Sequence, residues 1–357
     1  MNIIKHQLHD LWEYIVRDLP DNLDESAYEN GALLRKKGVL NAADLLRVIL
    51  TYGVTDLSFK AVATWASALG IAKFSSVALF YRIRDAREWL SHLIATILDT
   101  ETKPIDCAGL NVTIVDATVI TGPGSTGTEW RLHTGIDPVS GHITSIKLTD
   151  QRIGETYKNY QITPQSVVVG DRAYALATGI AHVHKHGGYV IARANLYSIR
   201  ICDLNRKVFN PLKESINIPK TGVAHYDVLI PAPPETQTRS HKTWSLEKAS
   251  AWIPARLLAV RTIKDTILWV ITTVPDNLAT DEVIMELYRV RWQIELEFKR
   301  LKSLLSLDAL PSQKGPTAAS WILARILSAI LIEKLLRKSG DFSPWGYRLS
   351  TSCHTTV

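Results

Sequence analysis

Only three cysteines occur in this 357-residue chain, and Cys107, Cys202 and Cys353 stand at wide, unrelated spacings. That excludes a disulfide framework and a paired-cysteine zinc signature, and it fits a reducing cytoplasm. Long hydrophobic runs are missing as well. The most apolar stretch, Trp321 to Leu336, is sixteen residues long and contains Arg325, Glu333 and Lys334, short of the ~20 apolar residues that span a bilayer. It is expected to be a buried core helix, and no membrane partner is expected. The first residues, MNIIKHQLHDLWEYIVRDLPD, place acids and a Trp where a secretory signal needs a basic start and an unbroken apolar run, so no export is implied. No Ser/His/Asp or Cys/His pattern stands out, which agrees with chemistry that uses no protein nucleophile.

What the chain does have is a full core and an uneven charge. Hydrophobic residues make up 46% and charged residues 21%, ordinary for a globular protein, and the length predicts two or three domains. The net charge of +6 suggests a polyanionic partner, and its location says more than its total. Lys plus Arg against Asp plus Glu stands at 12 to 13 over residues 1–105, 7 to 7 over 106–194, 11 to 7 over 195–280 and 11 to 8 over 281–357. The excess lies in the second half. Within the first segment, Lys73, Arg82, Arg84 and Arg87 face only Asp85, which predicts a local basic surface.

Residues 1–105 read as a helical N-terminal domain, with apolar-periodic runs such as LNAADLLRVILTYG and FKAVATWASALG. The passage from Ser58 through Gly70 to Ser75 and on to Arg87 has helix, glycine turn, Ser N-cap and second helix. That pattern fits a helix-turn-helix that reads DNA and fits an ordinary helical hairpin equally well. From residue 106 the period changes to two. VTIVD, WRLHTGI and HITSIKL read as strands, the last two joined by a DPVSG turn. A helical segment near Gly154–Tyr160, the strand SVVVG ending at Asp171, a helix from Ala173 and the strand YVIARA follow. The order β-β-β-α-β-α-β, closed by a later helix, matches a ribonuclease-H-like α/β core with a mixed sheet, assigned to residues 106–194 and 281–340. Between them, residues 195–280 carry HYDVLI, ARLLAVRTI and TILWVITTV and are broken by PAPPET, which predicts a β-strand-rich insertion. Residues 341–357 are expected to be a tail. The late helix is signalled by Thr280 as N-cap, with Asp281 and Glu282 in its first turn.

That helix continues into YRVRWQIELEFKRLK, Tyr288 to Lys302. At about 100° per residue, Tyr288, Arg291, Glu295 and Lys302 fall at roughly 0°, 300°, 340° and 320° on the helical wheel. One face therefore carries one carboxylate, two cations and an aromatic, while Glu297 falls near 180° and is excluded. In the predicted core, Asp116 ends the first strand and Asp171 the fourth, and Glu295 faces inward. Three such carboxylates suit hard divalent cations, Mg²⁺ or Mn²⁺, which take oxygen ligands and leave places for water and phosphate. Two ions roughly 3.5–4 Å apart would serve an in-line displacement at phosphorus.

These residues together resemble the DDE transposases of bacterial insertion sequences, specifically the insertion-sequence-four family, over the span Asp116 to Lys302. The signature Y-x2-R-x3-E-x6-K is met by Tyr288, Arg291, Glu295 and Lys302, with the core RWQIE; IVDAT surrounds Asp116 and VVGDRAY surrounds Asp171. As in that family, a long insertion of 123 residues separates Asp171 from Glu295. The resemblance implies a metal-dependent DNA transposase acting by cut-and-paste. Asp116, Asp171 and Glu295 would be its catalytic, metal-holding triad, and Tyr288, Arg291 and Lys302 would hold phosphates of the transposon end. Arg193 lies where relatives carry a DNA-contacting arginine, and Lys299 shares the active face. Trp269 is the nominee for stacking a flipped base, if excision runs through a hairpin. The implied partners are double-stranded DNA, as terminal inverted repeats and target, and a second copy in a homodimer on DNA. The expected location is the bacterial cytoplasm, on the nucleoid when DNA is bound.

Plainer readings stand beside these. A lone Asp after an apolar strand is commonly a turn or helix cap, and Trp269 in TILWVITTV has the pattern of a buried strand residue. Trp292 and Phe298 read as core residues. His182, His184 and His186 fall on different faces of a helix, which argues against a metal site there. Glu155 reads as an exposed helix residue or as a fourth acid of the site. The alternative functions are a nuclease of the same fold without strand transfer, and a non-catalytic domesticated DNA-binding protein.

Overall fold

Three of the N-terminal helices start where a polar side chain takes up a free backbone N–H. In the computed structural model, which describes residues 12–101, 106–107, 110–121, 130–138, 143–234, 244–262, 265–291 and 315–338, helix α1 is Leu23–Glu29, α2 Ala42–Val54, α3 Phe59–Ala68, α4 Ser76–Asp85 and α5 Arg87–Glu101. The Asn41 side chain accepts from Asp44 N at 2.7 Å, Ser58 Oγ from Ala61 N at 3.3 Å and Ser75 Oγ from Ala78 N at 3.1 Å, each relieving an orphan donor of a first turn. Gly70, at φ 70°, makes the left-handed turn between α3 and α4 that a side chain would disfavour. The cations expected to form a basic surface are largely engaged. Arg82 donates to the carbonyls of Ala32 and Arg35, Arg84 pairs with Asp85 at 2.6 Å, and Arg87 lies 3.6 Å from Glu88.

Strands β1 (Asp106–Cys107), β2 (Leu110–Ile120), β3 (Trp130–Ile136), β4 (Ile143–Asp150), β5 (Ser166–Gly170), β6 (Tyr189–Arg193), β7 (Ala224–Ala232), β8 (Ala251–Arg261) and β9 (Ile267–Thr272) form one sheet. Its order is β4-β3-β2-β5-β6-β9-β8-β7, with β1 paired to β2. The β2–β3 and β3–β4 pairs are antiparallel, and β5 and β6 add in parallel beside β2. Three antiparallel strands followed by two parallel ones, with the first in the middle, is the ribonuclease-H-like arrangement the sequence predicts. Strand β5, SVVVG, is buried along its whole length, as a parallel strand covered on both faces must be.

Three details differ from the sequence reading. The helical segment at 154–160 is a single 3₁₀ turn, Tyr157–Asn159. The helix after Asp171, α6 (Ala177–Lys185), starts four residues late because Asp171 Oδ1 and its carbonyl take up the N–H groups of Ala173 and Tyr174 in turns. Strand β2 runs on to Ile120, four residues past Asp116, since that half pairs with β3 alone. Strands β7–β9 extend the core sheet, β9 lying antiparallel to β6.

The sheet separates two cores. One holds Val115, Val168, Ala192, Leu257 and Trp269 with α6 and the tyrosines at 157, 160 and 174. The other holds Ile114, Val169, Ile191, Leu258 and Val270 with α1–α5, the helix over residues 281–291 (α7) and helix α8 (Pro316–Lys338). Helix α8 is apolar on nearly every side because it is buried along most of its length. It lies against α2, α4 and α5, and Gly53 of α2 admits it so closely that a Cβ there would meet Ala324 Cβ at 2.7 Å.

Candidate active site

Register brings the two aspartates together. The β2–β5 pairing runs Asn111↔Ser166 through Ile114↔Val169, and the β5–β6 pairing runs Val167↔Tyr189 through Gly170↔Ala192. Counted on at the same registers, Asp116, Asp171 and Arg193 fall in line at the ends of three neighbouring strands, and Asp116 lies close enough to Asp171 to feel its charge. Alternation puts Asp116 and Arg193 on the face away from Val115 and Ala192, the face that α7 covers. Thr280 starts α7 by accepting from Val283 N at 3.5 Å, and two turns later Tyr288 is buried on that face at 8% exposure. The Arg291 guanidinium sits 5.6 Å from the Tyr288 ring centre. Tyr288 is close enough to Arg193 and Asp171 to feel both charges.

The electrostatics of Asp116 follow from this crowding. Burial is the largest influence and pushes its pKa up to about 7; the Asp171 and Glu155 charges add to the rise, and the Ala117 N–H and Arg291 oppose it. Glu155 is also raised, by burial and by Asp171. It is half-buried, 3.9 Å from Arg131, so the exposed-helix reading of Glu155 gives way to a place beside the aspartates. Beneath the row lies a layer that the sequence reading overlooked. Tyr160 donates to the Asp116 carbonyl at 2.9 Å and meets the Tyr174 hydroxyl at 2.9 Å. His133 is held between Thr149 and Asn159, with burial and then Arg131 and Lys147 lowering its pKa to about 4. Gly170 makes room for this layer, because a Cβ there would lie 2.7 Å from the Tyr157 hydroxyl and 2.8 Å from Tyr174 Cβ. The only local signal for it was the recurrence of Tyr on both sides of SVVVG.

A divalent metal suits this donor set. Two carboxylates that feel each other's charge, one of them with its pKa raised by burial, suit an ion coordinated by oxygen. The Tyr157 hydroxyl, fully buried and near Asp171 and Tyr288, has no hydrogen-bond partner among the described residues. Glu295, Lys299 and Lys302 lie outside the described residues, as do Trp292, Glu297 and Phe298. Trp269 does not join the site. It is 6% exposed, 6.1 Å from the Tyr226 ring, and faces the core opposite Tyr288, because Val270, not Trp269, pairs with Arg193. Burial leaves it unable to stack on a base. Among the described residues the one group of three side chains spaced to hold a cation is His225, Asp276 and Asp281. Arg256 already fills it, with Nη1 2.6 Å from Asp276 and 2.7 Å from Asp281.

Comparison with known proteins gives the family. Residues 108–331 match the model of the transposase DDE domain. The transposase InsL assigned to insertion sequence element IS186A of Escherichia coli K12 is 34% identical over 94% of this chain and 96% of its own. The transposase of insertion sequence element IS421 of Escherichia coli shares 34% identity over the same fractions. The chain belongs to the DDE transposase family. The resemblance carried by the Tyr288–Lys302 signature is thereby borne out, and so are the activity and the α/β class. A piggyBac transposase synaptic complex with hairpin DNA also aligns, over 92% of this chain and 74% of that one, at 9% identity and a TM-score of 0.46. Divalent-metal use and DNA binding follow for this transposase from its family. Among the described residues no helix is long and apolar enough to cross a membrane.

Proposed function

We propose that this transposase cuts DNA at the terminal inverted repeats of an insertion sequence and joins the freed ends to target DNA, with Asp116, Asp171 and Glu295 holding Mg²⁺ or Mn²⁺. The observation that carries this reading is the row of Asp116, Asp171 and Arg193 on neighbouring strands, facing Tyr288 and Arg291 of α7. When bound, the metal neutralises charge on the reacting phosphate and activates the attacking oxygen. The chain's own residues do the rest. Asp116, whose pKa burial raises to about 7, would hold such an ion through its ionised carboxylate. Arg193 and Arg291 sit at the row's edge, where a phosphodiester would need positive charge. Tyr288, its ring beside the Arg291 guanidinium, fixes that arginine's direction. Tyr160 and Tyr174 hold the Asp116 backbone from below. Helix α4, capped by Ser75 after the Gly70 turn, is the element to lie in a major groove and read the inverted repeat, with Val77 and Tyr81 exposed on it. Two copies bridging two ends form the working assembly, and the cell's nucleoid is where it acts.

The test is a strand-transfer assay with pre-cleaved end DNA and Mg²⁺. Joined product is expected from the wild type; nicking without joining would leave a nuclease of the same fold. Glu295→Gln is expected to lower cleavage at least ~100-fold, the scale of losing a transition-state stabilising group, while Glu297→Gln stays within a few-fold. Equal effects of the two would sink the assignment of Glu295.

A further inference from the structure

Arg256 is a buried cation far along the sheet from Asp116, yet it touches the start of the helix that bears Tyr288 and Arg291. It sits on β8 directly opposite Asp227 of β7, and its side chain is 5% exposed. Its guanidinium uses its whole donor fork. Nε and Nη2 donate to the Val274 carbonyl at 3.1 and 2.8 Å, Nη2 also to the Ala279 carbonyl at 2.9 Å. Nη1 meets Asp281 Oδ1 at 2.7 Å and Asp276 at 2.6 Å. The other oxygen of Asp281 receives His225 Nδ1 at 2.7 Å, and His225 Nε2 faces Asp227 at 3.1 Å. Both ring nitrogens of His225 thus face carboxylates, an arrangement only the imidazolium satisfies, since a neutral ring has one donor. Every polar contact of Arg256 ends on the link from β9 to α7 or on Asp281, the first residue of α7, while His225 ties Asp281 to Asp227 of β7.

We propose that Arg256, with Asp281 and protonated His225, is a clamp that sets α7 against the Asp116–Asp171 row, making strands β7 and β8 a working part of the active site. The inference rests on the reading of α7 as the catalytic helix. Asp281 and Arg291 lie ten residues apart, about 15 Å at 1.5 Å per residue, so a small tilt at Asp281 displaces both Tyr288 and Arg291. A 1 Å error in such placement lowers turnover far more than it lowers binding. The charged groups around His225 are Asp227 on its own strand, Asp281 on α7, and Arg256 and Asp276 beyond Asp281. Burial lowers the His225 pKa, and the hydrogen bonds to Asp281 and Asp227 more than reverse this, for a net rise. The ionic half of the clamp is therefore present at low pH and is lost as pH climbs through that raised value.

Hydrogen–deuterium exchange of peptides over 281–291, corrected for intrinsic rate, tests this alongside cleavage. In the full-length wild type, α7 exchange is expected to rise at least ~5-fold between pH 6 and pH 8.5, and His225→Gln is expected to flatten that dependence. Arg256→Gln is expected to speed α7 exchange at least ~10-fold with β5 and β6 unchanged, and to lower kcat for cleavage about 10-fold with end-DNA Kd within about threefold. Unchanged α7 exchange in Arg256→Gln, or faster exchange throughout the sheet, overturns the proposal. If that variant does not fold, the His225→Gln arm decides: an α7 profile that keeps the wild-type pH dependence overturns it. Stoichiometric Zn²⁺ binding that His225→Gln abolishes would also overturn it, by making the cluster a metal site. A wild type that cuts no DNA fails the proposed function and leaves the exchange result readable.

Discussion

Asp116 shows what a carboxylate at a buried strand position costs the fold that carries it. Its pKa in the folded chain stands near 7, raised by burial and then by Asp171 and Glu155, against ~3.9 in an unfolded chain. Between those values the folded chain binds the extra proton, so this group adds stability as pH falls through 7 and removes it as pH rises. Asp116→Asn is therefore expected to raise the melting temperature of the metal-free protein at pH 8 by at least ~2 °C, to change it little at pH 4, and to abolish cleavage. Divalent cation added at pH 8 should stabilise the wild type and leave the variant where it was. Calorimetry at two pH values, with and without Mg²⁺, reads all of this; a variant less stable than wild type at pH 8 contradicts the crowding argument. At this scale the sequence was informative wherever an apolar strand delivered a polar residue to its end, as in VTIVD and SVVVGD. It left Glu155 open between an exposed helix residue and a fourth acid of the site, because a loop residue between two strands has no period from which its direction can be read. It misdirected on Trp269, whose chemistry suits base stacking but whose even spacing from the buried face of TILWVITTV sends it inward.

Elements were legible in proportion to how one-sided they are. The β-branched runs and the Ser caps at 58 and 75 located β2–β6, α3 and α4 to within a few residues, since each has one polar and one apolar requirement to satisfy. Helix α8 is the opposite case. A helix apolar on every side declares that it is buried and says nothing about its neighbours, so residues 316–338 read as part of the catalytic core although they pack on α2, α4 and α5. The contact that makes this packing specific is Gly53 against Ala324, where there is no space for even one methyl group. Gly53→Val is expected to cost about 1–3 kcal/mol by overpacking, despite the better helix propensity of Val over Gly. Ala324→Gly, which widens the same contact, should partly restore the double variant. Urea denaturation of the four proteins forms the cycle, and additive effects would mean the two positions do not share one contact.

For the whole molecule, the arrangement of cores decides what can fold alone. The helices of residues 12–101 meet α8 and the sheet face of Ile114, Ile136 and Val169 in a single continuous core. Strands β7–β9 add to the edge of the same sheet, and α7 bridges the two regions with Tyr288 in that core. The segments 1–105, 195–280 and 281–340 separate cleanly by composition, yet none closes a hydrophobic surface without another, because period and charge report local preference and not which faces meet. The α4 proposed to read DNA and the row on β2, β5 and β6 proposed to be catalytic are consequently held in one packed body, with α8 packed on α4 and in the core shared with the sheet. The fragment 1–105 lacks α8 and exposes the apolar faces of α2 and α5 that it covers, among them Leu45, Ile49, Leu90 and Ile94. It is therefore expected to show helical circular dichroism without a cooperative thermal transition and to bind a hydrophobic dye, as a collapsed state without fixed packing does. Joining residues 315–338 to it through a flexible linker should restore a sharp transition. A fragment 1–105 that melts cooperatively by itself would show that α8 only rests on a finished domain, and the coupling between DNA reading and catalysis through α8 would then have no structural basis.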